Sequence, residues 1–196
     1  VQHASAAMLR RMRRGHGPER LRRLMETVRE QLPGAFIRTT ALVGHPGESE
    51  EDFAELMRFL KWAEPDHLGA FRYSDEEGTA SGGSGPAVAP YLSYQRLRKV
   101  MALGRRISRK RNRALRGARI EVLVEGAADE QGWVLAGRHV GQAPEIDGVT
   151  YLVSCAARRG ERIQGRVVKT GPFDLVAEPV EDEAVTRAMR TSRSAR

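Results

Sequence analysis

The chain has 196 residues, enough for one domain or two small ones, and 40% of them are apolar. It contains no apolar run near the ~18 residues needed to span a bilayer, and no signal peptide is visible at its N-terminus. A single cysteine, Cys155, excludes an internal disulfide and any cluster held by several thiolates of this chain. That cysteine usage suits a reducing compartment, so a cytoplasmic location is predicted.

The first part of the chain predicts alternating helices and strands. Apolar residues recur with helical spacing over residues 6–14, 18–31 and 49–63, whereas residues 35–43 and 67–73 form runs typical of strands. The order helix, strand, helix, strand implies parallel strands joined by crossover helices. The first half is therefore predicted to be α/β.

One strand-loop-helix step stands out at residues 36–52. A β-branched and aliphatic run ends at Val43 and breaks at Gly44-His45-Pro46-Gly47, where two glycines and a proline favour a turn. Ser49 then suits a helix N-cap, and Asp52 three residues later gives an imperfect capping box. Because ligands bind at the carboxyl ends of strands in α/β barrels and open sheets, this loop is a candidate binding site.

A linker and a long basic helix are predicted next. Residues 74–90 are acidic and then rich in Ala, Gly, Ser and Pro, a composition that favours a loop. Residues 96–116 carry ten Lys or Arg and no acid. The helix predicted over 92–115 has a sparse apolar line, which consists of Leu97, Val100, Met101, Ile107 and Leu115.

The second half predicts a small β-barrel. Five short strand candidates are separated by Gly, Asp and Pro turns, at residues 118–125, 133–137, 149–153, 162–169 and 173–178. Five short strands over so few residues are typical of an OB-type barrel. Residues 181–196 are charged and poor in apolar residues, so a disordered tail is expected.

Four short motifs occur in order along the first half. They are Gln2-His3-Ala4-Ser5, residues 9–15 (LRRMRRG), Arg38-Thr39-Thr40 and residues 44–48 (GHPGE). Together they resemble the PLQHxS, VLRxMxRG, RTT and GFPGE segments of the radical S-adenosylmethionine methylthiotransferases, the MiaB/RimO family. His45 stands where that family usually has Phe, a difference expected to alter packing near the cofactor.

The resemblance implies three segments: the C-terminal part of a radical-SAM βα barrel over residues 1–90, a basic linking helix over 91–115 and an OB-like TRAM barrel over 116–180. It also implies S-adenosylmethionine and 4Fe-4S clusters as cofactors. Such clusters need three thiolates in a CxxxCxxC loop, which this chain lacks. The cluster-bearing half is therefore expected upstream of Val1, and the chain is expected to be inactive by itself.

The same resemblance implies that the S-adenosylmethionine pocket is lined by Gln2, Ser5, Arg38, Thr40, Gly44 and Gly47. Arg38 could pair with the methionine carboxylate through its planar guanidinium, and the glycine loop could approach an adenine closely. The alternative for Arg38 is an ordinary salt bridge at the barrel mouth. His3 and His45 are interpreted as hydrogen-bonded structural histidines.

Residues 137–148 resemble the GRxxxxAPEIDG segment of the RimO branch, whose target is an aspartate of the twelfth small-subunit ribosomal protein. The resemblance implies that Pro144, Glu145 and Asp147 contact the substrate. Residues 117–180 carry seven basic and nine acidic residues, and this balance suits a basic ribosomal protein better than RNA. A polar hairpin connection is the alternative for this segment.

Two other functions stay open. A MiaB-like enzyme that modifies tRNA belongs to the same family, although the APEIDG segment and the nearly neutral barrel argue against it. A non-catalytic RNA-binding module would use the barrel and the basic helix, and would leave the GHPGE loop unused. The charge of residues 96–116 fits a solvated face, an RNA contact on the ribosome or a dock for missing acidic parts.

Overall fold

The computed structural model describes residues 1–75, 86–130, 132 and 134–180. The chain forms two compact units, one over residues 1–108 and the other from residue 109 onward. Most of the predicted 74–90 loop and all of the predicted 181–196 tail lie outside the described residues. Among the described residues, every helix is too short or too polar to cross a membrane.

The first unit is built from helices and a two-stranded sheet. Its elements are α1 (Ala6–Arg11), α2 (Pro18–Gln31), β1 (Arg38–Val43), α3 (Glu50–Ala63), β2 (His67–Arg72) and the start of α4 (Pro90–Ala114). The two strands pair in parallel, with Arg38 opposite His67 and Val43 opposite Arg72. The predicted parallel step with a crossover helix is confirmed.

Local sequence explains where these helices begin and end. Pro18 occupies the first turn of α2, where its missing N–H costs nothing. Ser49 caps α3, and Asp52 completes the capping box despite being shorter than the usual Glu or Gln. Helix α1 ends three residues earlier than predicted, and Arg13 just beyond it has a left-handed φ of 51°.

One face of the small sheet is buried against the helices. Thr39, Ala41 and Val43 of β1 point into this core, which also contains side chains of α3 and α4. On the other face, Phe71 of β2 is 67% exposed. The predicted apolar line of α4 was partly wrong, because Met101 is 45% exposed whereas Arg96 is buried.

The second unit is the predicted five-stranded barrel. Its strands are β3 (Arg119–Ala127), β4 (Val134–Arg138), β5 (Thr150–Val153), β6 (Arg162–Thr170) and β7 (Leu175–Pro179). They close in the order β3-β4-β5-β7-β6. The barrel interior contains Val122, Val124, Leu135, Leu152 and Ala177.

The barrel closes through its last strand. β7 pairs with β5 in parallel through three residue pairs, beginning with Thr150 opposite Leu175. On its other side β7 pairs with β6 in antiparallel fashion. The strand closest to the end of the sequence therefore joins two strands that do not otherwise pair.

Candidate functional site

The Gly44–Gly47 loop begins directly after β1, at the carboxyl end of the strand. Gly44 and Gly47 have φ values of 76° and 78°, a left-handed conformation that glycine adopts without strain. A Cβ on Gly44 would lie 2.5 Å from the Cβ of Ser93. The Gly47 amide donates to the carbonyl oxygen of Pro86 at 2.8 Å. The loop thus needs glycine at both positions and is anchored to the segment before α4.

A buried carboxylate, Glu48, lies beneath this loop. Its Oε1 lies 3.3 Å from His3 Nε2, and its Oε2 accepts from Arg96 Nη1 at 2.9 Å. Oε2 also accepts a hydrogen bond from the Gly44 amide. The side chains of His3 and Glu48 are fully buried, and that of Arg96 is 2% exposed. The three side chains form a buried polar network that we call the Glu48 network.

Ser5 lies beside this network and has a helix-capping function. Its hydroxyl oxygen accepts from the Met8 amide at 3.4 Å, and the hydroxyl donates to Asp52 Oδ1. Burial raises the pKa of the Asp52 carboxyl, but hydrogen bonds from Ser49 and Ser5 outweigh burial and hold that pKa below its ordinary value. Ser5 therefore ties the start of α1 to the start of α3.

The other predicted cofactor residues lie along β1. The Gln2 carbonyl accepts from the Leu42 amide at 2.7 Å, so the first residues of the chain run alongside the strand. Thr40 and Arg38 are on the face of β1 that is not covered by the helices. Arg38 begins the strand, about 16 Å from its carboxyl end at roughly 3.3 Å per residue. The structure brings Ser5 and Gln2 towards the Gly44 end of β1 but places Arg38 at the opposite end.

His45 is a buried residue of the same loop. Its Nδ1 lies 3.0 Å from the carbonyl oxygen of Pro46, which can only accept, so Nδ1 carries the proton in this contact. The imidazole meets the ring of Tyr73 edge-on, with 5.0 Å between the centroids. This aromatic contact shows how a histidine can occupy a position where the family usually has Phe.

Sequence reasoning missed Glu48 and Arg96 as members of the site. The sequence identifies Glu48 only as part of the GHPGE motif, and Arg96 only as one of the ten basic residues of the segment 96–116. One signal could have identified Arg96: it falls on the buried stripe of α4 with Ser93, Val100 and Leu103, at spacings of three, four and seven residues. A charged residue on the apolar side of a helix requires a buried partner.

The described residues contain no grouping of three or more His, Cys, Asp or Glu side chains that could hold a metal ion. The chain has one cysteine, and Cys155 lies just after β5 of the barrel. An iron–sulfur cluster held by three thiolates does not fit this set of side chains.

The β4–β5 connection of the barrel contains the predicted substrate-binding residues. Its base is buried: Gln142 Oε1 accepts from Thr150 Oγ1 at 2.7 Å and from the His139 amide at 3.1 Å. Asp147 Oδ2 accepts from the Ala143 amide at 2.7 Å. We call residues 139–148 the β4–β5 loop, and these hydrogen bonds give it a fixed shape.

The tip of the β4–β5 loop is exposed and partly apolar. Val140 is 94% exposed and Ile146 is 75% exposed, and Pro144 and Glu145 between them are also exposed. Glu145 has a left-handed φ of 62°, which is strained for a residue with a side chain. The structure thus presents Pro144 and Glu145 to solvent, while Asp147 acts within the loop.

Helix α4 has one strongly basic face. Arg98, Lys99, Arg105, Arg106, Arg109 and Arg113 are all exposed. At 100° per residue they occupy an arc of about 120°, and the helix contains no acid. None of the six forms an ion pair within the part of the chain that the structure describes. We call these residues the basic face of α4.

Comparison with known proteins identifies relatives for nearly the whole chain. Residues 117–180 match the family model of the TRAM domain. The chain is 50% identical over 183 residues to the ribosomal protein uS12 methylthiotransferase RimO of Sorangium cellulosum. The matched region is 93% of this chain and 38% of that protein. The chain is 45% identical over 195 residues to the RimO protein of Myxococcus xanthus, covering 100% of this chain and 41% of the relative. The chain spans about two fifths of the length of these curated relatives.

Proposed function

We propose that this chain belongs to the radical S-adenosylmethionine methylthiotransferase family. In this proposal it supplies part of the cofactor pocket and the substrate-binding domain of an enzyme acting on ribosomal protein uS12. The reaction is the insertion of a methylthio group on an aspartate of that protein. The observation that carries this proposal is the identity of 38–50% to RimO proteins over at least 91% of the chain.

The cofactor pocket is proposed at the carboxyl end of β1. Gly44 and Gly47 have no side chains, so the backbone at these two positions can approach a flat adenine, and Thr40 on the uncovered face of β1 offers a hydroxyl. Gln2, Ser5 and Arg38 complete the proposed set. Arg38 would reach the cofactor only from the far end of the strand, so its part is the methionine carboxylate rather than the adenine. When bound, S-adenosylmethionine would be the precursor of the radical. The residues of this chain would hold and orient the cofactor.

The iron–sulfur clusters of the family are outside the chemistry of this chain. Its one cysteine cannot provide a CxxxCxxC loop. We therefore propose that the cluster ligands of the enzyme lie in a region that corresponds to the part of the relatives outside the match with this chain. In this arrangement residues 1–90 complete a radical-SAM barrel, 91–115 link it, and 116–180 form the TRAM barrel of a cytoplasmic enzyme.

The substrate contact is proposed at the tip of the β4–β5 loop. Val140 and Ile146 offer exposed apolar surface on the same loop as Glu145, and hydrogen bonds within the loop and to Thr150 hold its shape. A basic protein segment with an aliphatic neighbour would fit this surface, because its charge pairs with Glu145 while its apolar side covers Ile146. A preformed loop also lowers the entropy lost on binding.

Binding of uS12 to the whole chain tests this contact. We expect Glu145→Ala and Ile146→Ala each to weaken binding by about tenfold. Glu178→Ala is the matched control, because Glu178 is another exposed glutamate of the same barrel. Equal effects of the two glutamate substitutions would show that the loop is not the contact. Preference for a tRNA anticodon stem-loop over uS12 would favour the tRNA-modifying branch of the family instead.

We further propose that the basic face of α4 contacts ribosomal RNA while the substrate is bound. Six exposed cations without carboxylate partners among the described residues suit a row of phosphates. Replacing Arg105 and Arg106 by Glu should weaken binding of a small-subunit RNA fragment at least tenfold and flatten its salt dependence. Replacing Arg20 and Arg23 of α2, which are also exposed, changes the net charge equally and serves as the control. Equal losses in both pairs would leave only a nonspecific charge effect.

A further inference from the structure

We propose that Glu48 is a positioning residue for the cofactor pocket, and this inference rests on the proposed function. One carboxylate holds both sides of the proposed pocket. Its Oε2 accepts from the Gly44 amide and fixes the start of the glycine loop. Its Oε1 holds His3, which lies between Gln2 and Ser5 in the first segment of the chain.

Two other hydrogen bonds tie the first segment to the neighbourhood of the glycine loop. The Gln2 carbonyl bonds to Leu42, two residues before the loop, and Ser5 bonds to Asp52 after it. Glu48 bridges the interval between these anchors. One buried side chain therefore contacts both residues 2–5 and the glycine loop, through its two carboxylate oxygens.

Arg96 fixes the carboxylate in turn. Its Nη1 donates to Glu48 Oε2 at 2.9 Å and to the Glu48 carbonyl oxygen at 3.1 Å, so it holds both the side chain and the backbone. The guanidinium carbon lies 5.3 Å from the centre of the Phe53 ring. Its Nη2 reaches out to Glu50, whose side chain is 70% exposed.

Such a network is an inefficient way to stabilise a fold. The free energy needed to remove two charges from water is about as large as the free energy gained from their attraction in the interior. A protein with apolar residues of equal volume in their place is therefore often as stable. The geometry instead gives a defined orientation, because charged hydrogen bonds are short and directional. Here the groups that Glu48 orients are the Gly44 amide and the His3 ring, at the loop that follows the carboxyl end of β1.

The test compares Glu48→Gln with Glu50→Gln. Both remove one negative charge and one ion pair of Arg96, but only Glu48 touches Gly44 and His3. The protein is this chain joined to the cluster-bearing part of its Sorangium relative, and the probe is S-adenosylhomocysteine, an unreactive analogue. Its Kd is measured by calorimetry, and the free energy of unfolding is measured separately.

We expect Glu48→Gln to raise the Kd about tenfold or more, as loss of a supporting hydrogen bond does at other sites, and Glu50→Gln to change it less than twofold. Exchange of the Gly44 amide with solvent should accelerate in the first variant only. A Kd equal to that of the wild type in Glu48→Gln would overturn the inference. Absence of binding in the wild type would overturn the proposed cofactor site itself, and this inference with it.

A second variant covers a failure to fold. Glu48→Gln leaves Arg96 buried with less compensation, so the double variant with Arg96→Met removes the remaining charge. This variant should fold and still bind the analogue about tenfold more weakly. Wild-type affinity in the folded double variant would mean that the network contributes only to folding.

Discussion

Replacing Gly44 by alanine tests the geometry of the loop directly. The new methyl group would lie 2.5 Å from the Cβ of Ser93, where ordinary contacts begin at 3.4 Å. The residue would also keep a φ of 76°, which alanine adopts only with strain. The substitution therefore combines two separate costs at one position.

Each cost can be assigned a magnitude. The left-handed backbone costs about 1–2 kcal/mol for a residue with a Cβ, and overpacking against a neighbour costs about 1–3 kcal/mol. The free energy of unfolding should thus fall by about 2–5 kcal/mol. A domain is stable by only about 5–15 kcal/mol, so the loss would be easily measured.

A double-mutant cycle with Ser93→Gly separates the two costs. Urea unfolding of the first unit can be followed by Trp62 fluorescence in a Trp133→Phe background, since the chain has two tryptophans. Removing the Ser93 side chain should recover the overpacking part, about 1–3 kcal/mol, and leave the backbone part. Gly34→Ala is the control, because a Cβ there meets nothing within 4 Å and should change stability by less than about 0.5 kcal/mol.

Two results would refute this reasoning. A Gly44→Ala protein as stable as the wild type would mean that the loop has a different backbone conformation. A coupling energy near zero in the cycle would mean that the methyl group does not meet Ser93.

Three further predictions concern single groups. The pKa of Asp52 is lowered in the folded protein, so its carboxylate contributes to stability above the ordinary value of 3.8, and this contribution is lost as pH falls through the folded pKa. The variant Asp52→Asn should therefore lose less stability than the wild type over that pH range. An acid unfolding curve identical to that of the wild type would contradict this prediction. Burial raises the pKa of the Cys155 thiol, and the negative charge of Glu161 raises it further. The pH at which the alkylation rate of Cys155 is half its maximum should therefore lie above the ordinary pKa of 9.0, and Glu161→Gln should lower that pH. Glu145→Gly should raise the free energy of unfolding of the barrel by about 0.5–1 kcal/mol, because glycine relieves the strain at φ 62°; a decrease in thermal stability would argue against strain there.

Much of the fold could be predicted because local signals agreed with one another. Pro18 at the start of α2 and the Ser49–Asp52 capping box marked helix starts that the structure contains. The barrel strands were predicted to within one or two residues because their turns are rich in Gly and Asp. Helix α1 was predicted too long, since nothing in its apolar spacing shows that Arg13 turns left-handed.

The site was harder to predict because it depends on distant residues. Arg96 and Glu48 are 48 positions apart, and no local pattern pairs them. The resemblance identified the glycine loop, but it could not show that Arg38 lies at the other end of the strand from Gly44. Placing Arg38 required only the strand direction and its length, and both are available once the strand is assigned.

The closure of the barrel by β7 has a consequence for synthesis of the protein. Strands β3, β4 and β5 leave the ribosome first, but the edge of β5 has no partner until Leu175 and its neighbours have emerged. β6 likewise pairs with β3 on one side and waits for β7 on the other. A nascent chain that stalls before β7 exposes two unpaired edges, which are prone to join other chains. Both of these edges are paired only when translation has continued through β7.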